Sequence, residues 1–203
     1  MILILNCGTG NFLSIGRMIN AVGGEYYFGH SKNDIDRASK IILPGIGNFD
    51  NGIQAIDSAL LREKIIYKVL SQKTPILGIC LGMHLLCRSS EEGVLPGLNL
   101  VNAVVKKFYF SNSKNIKIPH MGWNVVNFIK TNPLISVLSN EQRFYFIHSY
   151  KVVLDDPSIL IGSANYGGDF CAAFQKKNIF GVQFHPEKSH KFGLSLMRHF
   201  VEL

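Results

Sequence analysis

The chain has 203 residues, of which 47% are hydrophobic and 17% are charged, and its formal net charge is +7. A chain of this length fits one domain and can bury roughly 70% of its unfolded surface, and this composition excludes both a disordered and a membrane-embedded protein. The apolar runs are shorter than the ~20 residues that a bilayer crossing requires, and no basic segment followed by a cleavable apolar one opens the sequence. We therefore expect one cytoplasmic domain over residues 1–203.

The cysteines and the positive charge each narrow the class of protein further. No CxxC pair or dense cysteine framework is present, so we expect free thiols in a reducing compartment. The lysines are scattered and adjacent only at 106–107 and 176–177, which does not favour nucleic-acid binding. The four cysteines are Cys7, Cys80, Cys87 and Cys171.

The first half of the chain alternates short apolar segments with segments of helical spacing. MILILN reads as a buried strand, and the segment after it combines a glycine turn with apolar residues at Phe12, Ile15 and Ile19. Such alternation predicts a parallel sheet with helices on both faces. Further strands are predicted at EYYF, KIILPGIGNF and TPILGIC, and one or two helices over IQAIDSALLREKIIYKVLSQ.

From about residue 100 the pattern becomes strand-rich. The closing segment SHKFGLSLMRHFVEL predicts a helix with Ser189 as its N-cap. We therefore expect an α/β fold with a mostly parallel central sheet flanked by helices and an additional strand-rich, partly antiparallel C-terminal half. The predicted strands of this half are LNLVNAVVKKF, WNVVNFI, RFYFIHSYKVV, SILIGSAN, FCAAFQ and IFGVQF.

Cys80 lies in Gly78-Ile79-Cys80-Leu81-Gly82, which has the form of a nucleophile elbow with sulfur in place of oxygen. The sharp strand-to-helix turn forces the nucleophile toward strained backbone angles, and glycine neighbours let other backbone approach closely. The side chain then projects at the carboxyl end of the sheet, where open α/β folds bind their ligands. A free thiol titrates near ~8.5, so a nucleophilic Cys80 needs a nearby imidazole.

His185 is the histidine that best meets this need. It follows the strand-like IFGVQF, and Pro186 disfavours helix at the preceding residue, which holds His185 extended at a strand end. Glu187 can hydrogen-bond the imidazole, so the chain contains a Cys–His–Glu arrangement by residue type. Cys80 and His185 both lie at predicted strand ends, and these ends can meet on one edge of the sheet.

A third ingredient is a set of donors for a developing oxyanion. LPGIGNF, residues 43–49, offers glycine-rich backbone after a strand, where the amides near Gly45 and Ile46 can face a substrate carbonyl. The amide of Leu81, directly after the cysteine, is a further donor.

Other interpretations of these residues exist. A buried cysteine is usually a small hydrophobic residue of the core. Cys80, His84 and Cys87 also have the i, i+4, i+7 spacing of one helical face and carry ligand types that suit zinc, but a zinc site needs a fourth ligand and leaves both glycines unexplained. We expect no metal. The remaining histidines are assigned to packing, surface or interface positions.

Taken together, the elbow, His-Pro-Glu and PGIG resemble a class I (triad-type) glutamine amidotransferase domain over nearly the whole chain. Within that class the resemblance is to the glutaminase subunit of imidazole glycerol phosphate synthase. It is carried by GTGNF, ILPGIGNF, GICLGMHLL, SSEEG followed by PGL, IPHMGWN, FIHSY and QFHPEKS.

The resemblance implies Cys80 as nucleophile, His185 as general base and acid, and Glu187 as the partner that orients the imidazole. It implies hydrolysis of glutamine to glutamate and ammonia through a γ-glutamyl thioester, with no cofactor. His84 stands where the family has a substrate-binding glutamine, and imidazole can still donate a hydrogen bond. The residues implied in oxyanion or substrate binding are Gly45, Ile46, Gly47, Leu81, His84, Ser149 and Tyr150.

The resemblance also implies a separate partner, because this chain has no acceptor-binding domain. That partner is a (β/α)8-barrel cyclase, which forms a heterodimer with the glutaminase and makes imidazole glycerol phosphate and AICAR in histidine biosynthesis. Asn6-Cys7 departs from the Asp-Tyr of many members. The residues implied at the subunit interface are Asn11, Met121, Trp123 and Lys188.

Three other functions stay open at this level. The first is a paralogous glutaminase subunit that feeds a sugar amidotransferase of surface polysaccharide synthesis. The second is a stand-alone cysteine hydrolase that acts without a partner. The third is a binding module in which the elbow is vestigial. Partner dependence separates the second from glutaminase subunits. Inertness of Cys80 toward a glutamine-analogue alkylator favours the third.

Overall fold

A computed structural model describes residues 1–6, 8, 10–110, 116–135 and 142–203. The α-helices are α1 (Phe12–Ala21), α2 (Lys32–Arg37), α3 (Phe49–Ser58), α4 (Arg62–Leu70), α5 (Leu81–Leu85) and α6 (His190–Glu202). The strands are β1 (Ile2–Leu5), β2 (Tyr26–Gly29), β3 (Lys40–Gly45), β4 (Ile76–Cys80), β5 (Ser89–Ser90), β6 (Ala103–Lys107), β7 (His120–Val125), β8 (Asn127–Phe128), β9 (Arg143–His148), β10 (Tyr150–Leu154), β11 (Leu160–Asn165), β12 (Asp169–Lys176) and β13 (Ile179–Val182). Short 3₁₀ turns cover Pro157–Ile159 and Pro186–Lys188.

The central sheet is parallel on one side and antiparallel on the other. Its parallel side has the order β2-β1-β3-β4-β13. On its other side β12, β10 and β6 continue the order with antiparallel neighbours, β5 pairs parallel with β6 at the edge, and β11 and β8 extend from β12. β7 and β9 form a separate antiparallel pair. The expected α/β fold with a partly antiparallel second half is therefore confirmed.

Alternation along the buried strands divides the core into two layers. Leu3 and Leu5 face a cluster that includes Ile53 of α3. Ile2 and Ile4 face the opposite cluster, which includes residues of α1 and α6. Successive strand side chains point to opposite faces, so one apolar run fills both layers. In the described part of the chain, no helix is long and apolar enough to cross a membrane.

Two local features differ from the sequence-based expectations. Helix α2 was not predicted, because only Ile35 of its residues is buried and no apolar periodicity appears. The sequence feature that indicates α2 is the capping box formed by Ser31 and Asp34 at its start. The expected N-cap position of Ser189 is confirmed, because α6 begins directly after this residue, but its hydroxyl makes no cap hydrogen bond. Cys7 lies outside the described residues.

Register aligns the ends of three neighbouring parallel strands. Gly45 of β3 is paired with Cys80 of β4, and Ile79 is paired with Val182 of β13. Cys80 therefore lies between Gly45 and the residue that follows β13, Gln183. Three chain segments meet at the carboxyl edge of the sheet, where the turn from β4 into α5 occurs.

The turn itself has the strained geometry expected of a nucleophile elbow. Cys80 has φ +54° and ψ −110°, a region that residues with a side chain rarely adopt. A Cβ on Gly82 would lie 1.7 Å from the carbonyl oxygen of Leu43, far inside van der Waals contact. Only glycine at position 82 lets α5 begin this close to β3.

We expect Gly82→Ala to lower the free energy of unfolding by about 3 kcal/mol, because the added methyl must displace backbone. Urea unfolding followed by circular dichroism measures the change. Gly23→Ala is the matched control: this glycine has φ +83° and open space around it, so only the left-handed backbone penalty of about 1 kcal/mol applies. Equal losses in the two variants would contradict the steric argument.

Candidate active site

The sulfur of Cys80 lies between β9 of the separate strand pair and the end of β13, the neighbour of β4 in the sheet. The side chain is buried, and its Sγ lies 3.9 Å from the carbonyl oxygen of Ile147 on β9. The side-chain amide of Gln183 donates toward the same sulfur at 3.9 Å. Cys80 is therefore held at the end of β4 with polar groups around it.

His185 and Glu187 form a buried pair beside this cysteine. His185 Nδ1 lies 2.8 Å from Glu187 Oε1, and both side chains are almost fully buried. Burial disfavours the imidazolium, but Cys80 and Glu187 favour it more strongly and raise the pKa of His185 to about 10. Since Nδ1 is bonded to Glu187, Nε2 is the ring nitrogen that remains for proton transfer.

The backbone of His185 is fixed from two sides. Its N–H donates to the carbonyl of Tyr145 on β9 at 2.9 Å. Its carbonyl accepts from the Ser189 hydroxyl at 2.6 Å, and that hydroxyl accepts from the Tyr145 N–H at 3.0 Å. The Ser189 hydroxyl, expected to cap α6, instead links the backbone of His185 to that of Tyr145 on β9.

The predicted site residues converge on one cavity of about 610 Å³. Of the residues implied in catalysis or substrate binding, only Gly45 is absent from its lining. Asn11 and Lys188, expected at the interface, also line it, whereas Met121 and Trp123 do not. The lining residues are Gly10, Asn11, Ile46, Gly47, Cys80, Leu81, His84, Glu92, Pro119, Ile147, His148, Ser149, Tyr150, His185, Glu187 and Lys188.

The glycine-rich segment after β3 forms one wall of this cavity. Gly45 is the last residue of β3 and pairs with Cys80, while Ile46 and Gly47 are exposed beyond the strand end. Gly47 has φ +100°, a backbone conformation that favours glycine. The segment thus turns at the mouth of the cavity, close to Leu81, the first residue of α5.

His84 has a different partner from the one that its sequence position suggests. Its Nε2 lies 2.8 Å from Gln183 Oε1, and the side chain is buried. Burial outweighs the hydrogen bond to Gln183 and lowers the pKa of His84 to about 4, so the imidazole is neutral near pH 7. A neutral ring that donates from Nε2 can only accept at Nδ1.

A chain of neutral histidines supports the bend between β9 and β10, where Ser149 and Tyr150 line the cavity. His148 Nδ1 donates to the Tyr150 carbonyl at 2.7 Å, which leaves its Nε2 to accept from His120 Nδ1 at 3.0 Å. Asn124 Nδ2 lies 3.3 Å from the remaining His120 nitrogen. Burial lowers the pKa of His120 to about 4 and that of His148 well below its usual value.

Sequence reasoning missed two polar residues at the site. Glu92 lines the cavity and accepts from the Phe49 N–H at 3.0 Å, and burial raises the pKa of this carboxyl. Gln183 reaches the Cys80 sulfur from the end of β13. Glu92 lies in the SSEEG motif and Gln183 directly precedes Phe-His-Pro-Glu, but nothing in their spacing marks either side chain as part of the site.

The residues expected at the interface fall into two groups. Met121 and Trp123 on β7 are 57% and 48% exposed, which is high for large apolar side chains. Trp123 stacks on His190 with ring centroids 5.4 Å apart. Asn11 and Lys188 line the cavity instead. Two of the four residues are therefore at the cavity and two are on the exposed face of β7.

The zinc interpretation finds no geometric support within the described ranges. In them, no group of three or more potential ligands comes close enough to hold a metal ion. The His84 Nε2 is engaged with Gln183, and Cys87 Sγ donates to the Met83 carbonyl at 3.5 Å.

Comparison with known proteins agrees with this fold. The solved structure of PurLQS from Thermotoga maritima matches with a TM-score of 0.75 at 17% identity, covering 99% of this chain and 97% of the other. A glutamine amidotransferase from the same organism matches with a TM-score of 0.61 at 18% identity, over 92% of this chain and 75% of the other. The family model of class-I glutamine amidotransferases matches residues 4–202. The chain therefore belongs to that family.

Sequence relatives refine the assignment within the family. Imidazole glycerol phosphate synthase subunit HisH 2 of Methanococcus maripaludis is 48% identical, over 100% of this chain and 99% of that protein. The subunit of the same name from Pseudomonas aeruginosa is 42% identical, over the whole of both chains. This chain is a member of the HisH group.

We expect the free energy of unfolding to fall between about pH 6.5 and 5, because the unfolded chain binds protons that the buried histidines exclude. Each histidine with a lowered pKa contributes a slope of about 1.4 kcal/mol per pH unit, and this loss is absent above about pH 6.5. Urea unfolding at several pH values measures the total slope. His84→Gln should reduce it by one histidine's share, and an unchanged slope would show that His84 is not held neutral.

Proposed function

We propose that this chain is the glutaminase subunit of imidazole glycerol phosphate synthase. It hydrolyses glutamine to glutamate and ammonia and passes the ammonia to a cyclase subunit that makes imidazole glycerol phosphate and AICAR in histidine biosynthesis. The main support is the joint presence of Cys80, His185 and Glu187 in the lining of one cavity. Membership of the HisH group supports the assignment of the acceptor reaction.

In the proposed reaction, the Cys80 thiolate attacks the side-chain carbonyl carbon of glutamine and forms a C–S bond. The His185 imidazolium gives its Nε2 proton to the nitrogen as the C–N bond breaks, which releases ammonia and leaves a thioester. Water then attacks the thioester while His185 Nε2 takes a proton from it. Glutamate leaves and the thiolate–imidazolium pair is restored, with Glu187 orienting the ring throughout.

The cavity also offers groups that suit the two ends of glutamine. Glu92 is an acceptor for the α-ammonium, and the backbone around Ser149 and Tyr150 is the proposed contact for the α-carboxylate. The proposed donors to the oxyanion are the amides of Ile46, Gly47 and Leu81 in the lining, together with that of Gly45, which directly precedes Ile46. His84 would accept a hydrogen bond from the substrate side, because its donating nitrogen is engaged with Gln183.

The proposed partner is a (β/α)8-barrel cyclase bound as a heterodimer at the face that carries Met121 and Trp123. Asn11 and Lys188 then lie between the cavity and the partner, where ammonia must pass. We further propose that residues 1–203 act as a single amidotransferase domain, supported by the sheet shared by both halves of the chain. Free thiols at Cys80, Cys87 and Cys171 are consistent with a cytoplasmic location.

We expect purified chain to release glutamate from glutamine slowly alone and much faster with the cyclase and its ribulosyl substrate or product. Cys80→Ala should reduce stimulated turnover by at least about a thousandfold, and Glu187→Gln by about a hundredfold, because the histidine loses its orienting charge. Cys171→Ala is the matched control, since this buried cysteine lies outside the cavity. Glutamate is measured by a coupled dehydrogenase assay.

The other outcomes distinguish the alternatives. Turnover that depends on Cys80 but ignores the cyclase would reject the histidine-pathway assignment and favour a sugar-amidating paralogue or a stand-alone hydrolase. Full turnover in Cys80→Ala would reject the thioester mechanism altogether.

We expect Trp123→Ala to weaken cyclase binding by about 2 kcal/mol, roughly thirtyfold in Kd, because an exposed indole is a typical interface anchor. Isothermal titration measures the affinity. Tyr67→Ala is the control, since this aromatic residue on α4 is 53% exposed but belongs to neither the cavity nor β7. Equal losses in the two variants would remove Trp123 from the interface.

A further inference from the structure

Gln183 is a fully buried carboxamide whose described side-chain contacts both belong to the site. Its side chain has no solvent exposure. Oε1 lies 2.8 Å from His84 Nε2, and Nε2 donates toward Cys80 Sγ at 3.9 Å. Burying a polar side chain is costly unless it is hydrogen-bonded, and an apolar residue of similar volume would fill the space as well. The carboxamide is thus explained by its partners and not by packing.

Strand register accounts for the contact with sulfur. Ile79 is paired with Val182, so the next residues along the two parallel strands, Cys80 and Gln183, lie side by side. The Gln183 N–H is itself bonded to the Ala172 carbonyl at 2.9 Å, which fixes its backbone to β12. The side chain therefore approaches the sulfur from a rigid strand end.

The orientation of the carboxamide depends on His84. An amide has a donor end and an acceptor end, and the two can exchange by rotation about the last bond. The Gln183 oxygen faces His84 Nε2 at 2.8 Å, so a neutral His84 donates from this nitrogen. The opposite end, an NH₂ group, then faces Cys80. The reverse orientation would place a carbonyl oxygen against a thiolate, which repels it.

We propose that Gln183 is a positioning residue that stabilises the Cys80 thiolate by donating a hydrogen bond to its sulfur, and that His84 acts through Gln183 by fixing the orientation of the amide. In this arrangement His84 donates a hydrogen bond to Gln183, and Gln183 donates one to Cys80. This role deepens the proposed function and rests on it, since it requires Cys80 to act as a thiolate.

The test measures the pH dependence of Cys80 alkylation by iodoacetamide, quantified by peptide mass spectrometry on the full-length chain. Gln183→Leu removes the donor and keeps the volume, so the midpoint of the alkylation profile should move upward by about half to one pH unit. The rate below the midpoint should fall about threefold to tenfold. Gln175→Leu is the control for loss of a glutamine elsewhere, because its amide bonds only the Lys177 carbonyl among described partners.

Variants at position 84 test the second part of the proposal. His84→Leu should move the midpoint upward by less than Gln183→Leu does, because the amide keeps its donor but loses its fixed orientation. His84→Gln should keep the midpoint close to that of the unsubstituted chain, since glutamine can donate to the same oxygen. Adding His84→Leu to Gln183→Leu should cause no further shift, because His84 acts only through the amide.

Several results would overturn the proposal. An unchanged midpoint in folded Gln183→Leu would make Gln183 a structural link only, and additive shifts in the double variant would separate His84 from Gln183. Thermal unfolding verifies folding, and Gln183→Met replaces the leucine variant if that variant does not fold. Alkylation needs neither glutamine nor cyclase, so an absent glutaminase activity with a normal midpoint shift would reject the proposed function alone.

Discussion

The close approach of α5 to β3 is the constraint on which the site depends. Without a side chain at Gly82, the helix begins against the Leu43 carbonyl, and the turn before it holds Cys80 at positive φ. The register of β3, β4 and β13 then brings Gly45 and Gln183 to either side of the cysteine. The geometry around the sulfur is therefore set by backbone packing, which is harder to perturb than side-chain contacts on a loop.

The buried histidines of this region fall into two electrostatic classes, according to whether a negatively charged partner offsets the effect of burial on the pKa. His185 is held in its charged form by Cys80 and Glu187. His84 and His148, in contrast, are kept neutral chiefly by loss of solvent. A second imidazolium would compete with His185 for the thiolate and repel it, so the surrounding rings serve the site best as neutral hydrogen-bonding groups. One fold thus assigns different protonation states to the same residue type.

Much of the fold, and the three residues of the proposed triad, could be predicted from the sequence, because strong local signals carry them. Continuous apolar runs mark the parallel strands, and Gly-x-Cys-x-Gly marks the turn at Cys80. The roles of Gln183 and Glu92 could not be predicted in this way, since they depend on strand register and on a contact with the start of α3. His84 lines the cavity, but its hydrogen-bond partner, Gln183, follows β13 and is far away in sequence.

The positive φ at Cys80 sets stability against activity at a single residue. Glycine adopts such angles without penalty, whereas a residue with a side chain bears a cost of about 1–3 kcal/mol. Among substitutions at this position, glycine is therefore the one that relieves the backbone, and it also removes the proposed nucleophile. A lineage released from the need for this chemistry would gain stability by drifting toward glycine at position 80. Retention of cysteine there is opposed by folding energetics and must be maintained by selection on the thiol.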